Sequence, residues 1–336
     1  MEAGNNSISR SEGEIPLAET SVPVIAAVPP ADAVNQRYLF PFVPLGEVQN
    51  HVRTQAIASE ASRIDELTAA WHRLQSAVQE MQVTEAGLAA SISVSDIPLE
   101  ARDALASVEA NPAFAKTFQS HQYVFAWVEI DKMIATQRHV NLDFVAKLRE
   151  SYEGTLDLHR LIDICLSPDR DASGVKHLEL SAAPAMHAFT SPNTNLRYLG
   201  SYLKPLQPED FELAERGGIP VIAVISFVGY GGRAINAFYD VPRKRVILHN
   251  GYHRVYALRS LGVTHIPLVL MMAYNPSLHL PAVFPGGMPV AYVLNTPRPS
   301  LFMDFFQDGL TVDLLVKKRL KTVTVQVGNA EHDLPV

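Results

Sequence analysis

The stretch VILHNGYHRVYALRSLGVTHIPLVL, Val246–Leu270, decides how the chain is read. A β-branched run ends at Asn250-Gly251. Tyr252, His253 and Arg254 follow, and an amphipathic helical pattern begins at once. Gly262 supplies the stop before the apolar segment IPLVLMMAY. The spacing predicts strand, tight turn, helix and strand. Cations on a first turn oppose the positive end of the helix dipole unless an anion lies against it. A helix N-terminus offers backbone amides to such an anion. Gly251 permits close approach of the backbone. Arg254 is suited to a two-pronged grip on a phosphate, and His253 to donating to it or moving a proton. Asn250, Gly251, His253 and Arg254 therefore fit an anion cradle, with the Gly251–Tyr252 backbone lining it. The same residues fit a plain Asn-Gly turn with solvated His253 and Arg254. By themselves they leave both readings open.

Upstream, AINAFYDVPRKRVILHN reads as a hairpin around a Pro-Arg-Lys turn. Before it, FVGYGGRAIN carries Gly231, Gly232 and Arg233. That is either a second phosphate nest or a strand connection needing positive φ. It lacks the Lys-Ser/Thr of a Walker A loop. IPVIAVISFVG (219–229) reads as a buried strand, and YVFAWVEIDKMI as another. In NLDFVAKLRESYEG, Asn141 is placed to cap a helix. Leu142, Val145, Leu148 and Tyr152 share one face of it, and Gly154 closes it. DLHRLIDICLS reads as a strand, with helix a close competitor. Residues 168–218, rich in Pro, Ser, Asn and Gly, read as an insertion with short elements of its own.

Gly251-Tyr252-His253-Arg254, Ala257 one turn on, Gly262 and the IP strand together resemble the signature of the ParB/sulfiredoxin superfamily. WVEIDKMIATQRHVNLDFVAKLRESYEG resembles its opening strand, connector and first helix. The resemblance covers roughly 124–272, with 168–218 inserted. It implies that Gly251, His253 and Arg254 hold the phosphates of ATP, CTP or a relative. Mg²⁺ is then expected alongside, since it bridges phosphate oxygens. Kinase-like relatives draw an acidic base from the part of the fold that holds Glu129. A surface carboxylate on an edge strand is the competing reading of Glu129. This chain departs from the superfamily in three ways. Sulfiredoxins place a catalytic cysteine in the turn, where this chain has Tyr252. Its one cysteine, Cys165, sits among apolar residues, which predicts an inert thiol and no sulfinic-acid reduction. Partition proteins continue into a helix-turn-helix, and nothing after residue 272 reads as one. A helical region also precedes the fold.

In that region Ile57, Ala61, Ile64, Leu67, Trp71, Leu74, Val78 and Met81 step by three and four. This is a stripe for a core or for self-association. Residues 1–36 read as a disordered tail and 37–48, with two prolines, as an extended arm. Residues 37–120 read as a helical domain, and 121–274 as the ParB/sulfiredoxin-like domain. Residues 275–336 read as a Pro-rich extension ending in the strand KTVTVQV. The expected class is thus α+β.

Of the 336 residues, 47% are apolar and 19% charged, and the net charge is −7. A domain that bound nucleic acid through phosphates would be basic, so DNA is not expected as a partner. The histidines show no metal-ligand spacing, so no metal site is expected from protein ligands alone. No apolar run is long enough to span a bilayer, and the N-terminus lacks a signal-peptide pattern, so a cytoplasmic setting is expected. The functional expectation is a nucleotide- or phosphate-binding protein, with hydrolysis or phosphoryl transfer as the associated chemistries. The competing expectations are a non-enzymatic interaction protein and, third, a DNA-binding or nuclease relative.

Overall fold

A computed structural model describes residues 33–167, 175–182, 185–192, 196–205, 222–230, 234–284 and 287–327. The strands are β1 Ala33–Leu39, β2 Val94–Asp96, β3 Tyr123–Glu129, β4 Ile134–Ala135, β5 His139–Asn141, β6 Lys176–Ala182, β7 Ala185–Ser191 and β8 Leu196–Pro205. They continue as β9 Ile222–Tyr230, β10 Asn236–Asp240, β11 Arg245–Asn250, β12 His265–Ala273, β13 Val283–Phe284, β14 Met288–Pro289, β15 Thr311–Lys317 and β16 Lys321–Val327. The helices are α1 Leu45–Gln55, α2 Ala58–Ala61, α3 Ile64–Thr84, α4 Arg102–Glu109, α5 Pro112–Phe118, α6 Leu142–Ser151, α7 Leu158–Leu166, α8 Tyr252–Ser260, α9 Pro276–His279 and α10 Val290–Asn295. The class is α+β.

A six-stranded mixed sheet, β2-β3-β12-β10-β11-β4, carries the Val246–Leu270 stretch. β10 and β11 form the expected antiparallel hairpin, and β12 lies parallel to β10. Val246, Ile247, Leu248, Ile266, Leu268, Val269 and Leu270 are all buried, as befits strands covered on both faces. A second sheet, β15-β1-β5, joins the two ends of the chain, with β1 paired from Ala33↔Lys317 to Leu39↔Thr311. Its smaller core holds Tyr38, Phe40, Val43, Val48, Val52, Leu67 and Leu314.

The stripe on α3 faces inward. Ile64, Leu67, Trp71 and Leu74 pack on the smaller core, and Val78 and Met81 on the larger one. Ile57 and Ala61 lie outside α3, and Ala61 ends the short α2. α4 and α5 contribute Val108, Phe114 and Phe118 to the same core as β3 and β12.

Four expectations are corrected. Residues 33–36, read as part of the tail, form β1 because β15 supplies a partner strand. The extended arm at 37–48 is the end of β1, a 3-10 turn Phe40–Phe42 and the start of α1. DLHRLIDICLS is helix α7, capped by Asp157, whose side chain accepts from Arg160 N. IPVIAVISFVG contributes β9, which among the described residues pairs with β8 alone and leaves Phe227 44% exposed, so it is a two-stranded ribbon and not a buried strand. The described parts of 168–218 are β6, β7 and β8. β7 pairs with the final strand β16 as well as β6. Before that strand the sequence reading missed β15.

Candidate functional site

Asn250 ends β11 and Gly251 turns the chain into α8. Gly251 has φ +104°, a left-handed conformation that favours glycine. A Cβ there would sit 2.7 Å from Cγ1 of Ile235. The turn is therefore pressed against the segment just before β10. Ile235 is itself fixed, its N–H donating to Cys165 O at 2.7 Å and its carbonyl accepting from Val269 N at 3.0 Å. Gly231, Gly232 and Arg233 lie outside the described residues. The described chain resumes at Ala234 and Ile235, both buried, against the turn.

The first intrahelical bond of α8 runs from Val255 N to Gly251 O at 2.9 Å. The amides of Tyr252 and His253 precede it and have no carbonyl four residues back within the helix. No acidic residue occupies the first turn.

The side chains divide. Tyr252 is 3% exposed and turned into the core. Its hydroxyl accepts from Thr136 N at 2.7 Å and donates to Leu248 O at 2.8 Å. That side chain holds β4 and β11 together, so only the backbone of Tyr252 remains available to a ligand. Arg254 is 7% exposed, and its Nη1 donates to Ile164 O, in the last turn of α7, at 3.0 Å. A cation there complements the negative end of α7. Arg254 is thus a structural clamp as well as a candidate anion ligand. His253 sits edge-on to Phe144, ring centroids 5.4 Å apart. Burial, with Arg254 nearby, pushes its pKa down to about 4. It is neutral at pH 7. His249 packs edge-on to Phe238, as expected of a packed histidine.

Glu129 is not brought to the turn. β3 is separated from β11 by β12 and β10, three strand spacings or about 14 Å. Its carboxylate accepts from Ser93 N at 2.9 Å and pairs with Lys132 at 3.3 Å. Both contacts give it a local structural role. Cys165 is fully buried, and burial pushes its thiol pKa up to about 12, in keeping with an inert thiol.

Residues remote in sequence surround the turn, and local patterns in the chain do not mark them. Thr136 meets Tyr252. His139, on β5, lies among Tyr38, His51 and His253. These contacts join residues 88 to 116 positions apart, and no local pattern signals them. The one hint is polar: Gln137-Arg138-His139 interrupts the apolar run between a strand and the Asn141 cap.

Among the described residues no group of three His, Cys, Asp or Glu side chains is placed to hold a metal ion. No helix among them is long and apolar enough to cross a membrane. Set against family models, curated proteins and solved structures, the chain matches none.

Proposed function

We propose that the Asn250–Arg254 turn binds the phosphates of a nucleotide, ATP or CTP, with Mg²⁺ carried in on the phosphate oxygens. The observation that carries this reading is Gly251. It is held at positive φ against Ile235 and opens α8 with a turn that carries His253 and Arg254 and has no first-turn carboxylate. The resemblance to ParB/sulfiredoxin domains supports it, since there the matching turn holds nucleotide phosphates. In this reading the Gly251–Tyr252 backbone cradles oxygens, Arg254 neutralises charge, and neutral His253 hydrogen-bonds to the phosphate. The described residues offer no strong base at the turn: Glu129 is remote and His253 has a depressed pKa. Binding is therefore favoured over hydrolysis or phosphoryl transfer.

Calorimetric titration with MgATP and MgCTP tests the reading. Saturable binding that weakens at least tenfold in Arg254→Gln, with unchanged circular dichroism, is the expected result. Absence of binding by the folded protein would refute it.

A second reading has its own observation. Leu178, Leu180, Leu199, Leu203 and Phe227, on strands outside the six-stranded sheet, are 44–66% exposed. Apolar strands of this kind suit contact with another protein chain. The α3 stripe no longer serves that role, because it is used internally. Self-association that is independent of nucleotide, seen by light scattering and abolished by Leu203→Glu, would favour this second reading.

A further inference from the structure

An open cleft of about 700 Å³ lies between the 3-10 turn Phe40–Phe42, α3 and α10. Its walls are apolar and aromatic, with Phe42, Trp71, Val78, Met288 and Tyr292 among them. The volume is that of a small-molecule site. Its wall amides are already satisfied by the fold. Trp71 Nε1 donates to Val43 O at 2.9 Å, Gln75 Nε2 to Pro41 O at 2.8 Å, and Gln82 Nε2 to Arg298 O at 2.6 Å.

One charged group stands apart. Arg138 lines this cleft and is only 8% exposed. Its Nη1 pairs with the carboxylate of Glu47, which is half-exposed at the cleft. The Tyr38 hydroxyl hydrogen-bonds the same guanidinium, and its Nε is buried with no partner among the described residues. Nη2 lies beside Gly287, where a Cβ would be 3.6 Å away. Nη1, which half-exposed Glu47 meets, is therefore the part of Arg138 that a carboxylate reaches from the cleft.

We propose that this cleft binds a small apolar or aromatic carboxylate. The apolar body fills the space between Phe42, Trp71 and Tyr292. The carboxylate takes the place of Glu47 at Nη1 of Arg138, and Glu47 turns toward water. The exchange leaves Arg138 paired with a carboxylate throughout, while half-exposed Glu47 regains water. The occupant is singly charged and carries its charge at one end, because Arg138 is the only cation among the described cleft-lining residues.

The test is calorimetric titration of the whole chain with three probes of one shape: 2-naphthoate, 2-naphthamide and 2-naphthylmethylamine. Saturable one-to-one binding of the naphthoate is expected. The amide should bind roughly tenfold weaker, as befits loss of a charge-assisted hydrogen bond, and the amine not at all. Arg138→Gln should abolish the preference for the acid over the amide. Glu47→Gln removes a half-exposed side chain's charge and tests the idea even if the Arg138 variant fails to fold. It should tighten naphthoate binding severalfold, because the competing carboxylate is gone. The proposal is overturned if folded protein fails to bind naphthoate, if the three probes bind alike, or if Glu47→Gln leaves binding unchanged or weaker.

Discussion

Gly251 carries two constraints at once, a positive φ and a neighbour 2.7 Å from where a Cβ would sit. Gly251→Ala should cost about 1–3 kcal/mol in urea denaturation. Adding Ile235→Ala should not restore stability, because the backbone strain remains and a buried side chain has been lost. A cost below about 0.5 kcal/mol would mean the turn is relaxed. Tyr252→Phe removes the acceptor of a buried Thr136 amide and should cost about 1–3 kcal/mol. A neutral substitution would show that water replaces the hydroxyl. The need for glycine at 251 was legible in the sequence, because Asn-Gly before a helix demands an unusual backbone. The inward turn of Tyr252 was not, since its partner lies 116 residues away. The double duty of Arg254 was hidden for the same reason: the Ile164 carbonyl is 90 residues upstream.

Among the elements, α7 shows how a short helix is mistaken for a strand. Leu161, Ile162, Ile164, Cys165 and Leu166 are buried while His159, Arg160 and Asp163 are exposed, so a helical period is present but spans only nine residues rich in β-strand formers. The Asp157 cap was the deciding local signal. β11, α8 and β12 were legible because glycines and an apolar alternation bounded each of them. The pairing of β1 with β15 was not, because it joins chain ends and depends on long-range contact alone.

Elements β1, α1, β5 and α8 meet around Tyr38, His51, His139 and His253. Burial lowers the pKa of all three histidines, His139 to about 3 and His253 to about 4. The cationic side chains nearby, Arg138, Arg254 and Arg319, add to the shift. Such histidines are neutral in the folded chain but take up protons once unfolded, near pH 6.5. Their contribution to stability is therefore complete above that pH and falls as pH drops toward 4. Each depressed unit is worth about 1.4 kcal/mol at most. Denaturation midpoints measured from pH 7.5 to 5 should decline, and His139→Gln should flatten the slope. A flat profile in the unsubstituted protein would contradict this packing.

On the scale of the whole molecule, the segment after β12 is tied back to the early helices by charge as well as by the pairing of β1 and β15. Arg298, fully buried, pairs with buried Asp304 through both Nη atoms and with Glu85, just after α3, at 2.9 Å. Asp304 also accepts from Leu301 N at 2.8 Å. Removing one member of a buried pair strands the other. Asp304→Ala should cost about 3–5 kcal/mol and lower the thermal midpoint without a separate transition. A loss below about 1 kcal/mol would mean that water reaches Arg298. The α+β class was legible from the texture of the chain. This interlocking was not, because Arg298 and Glu85 each look like ordinary surface charges in sequence.

The central claim is that the turn before α8 receives phosphate, and the backbone amides report on it directly. Amide resonances of Gly251, Tyr252 and His253 should be followed by two-dimensional NMR as MgATP, MgCTP or pyrophosphate is added. Saturable shifts centred on those three amides are predicted, with Glu129 unmoved. Shifts that centre elsewhere, or no shifts at millimolar ligand, would contradict the account and leave Gly-Tyr-His-Arg as a turn that serves the fold alone.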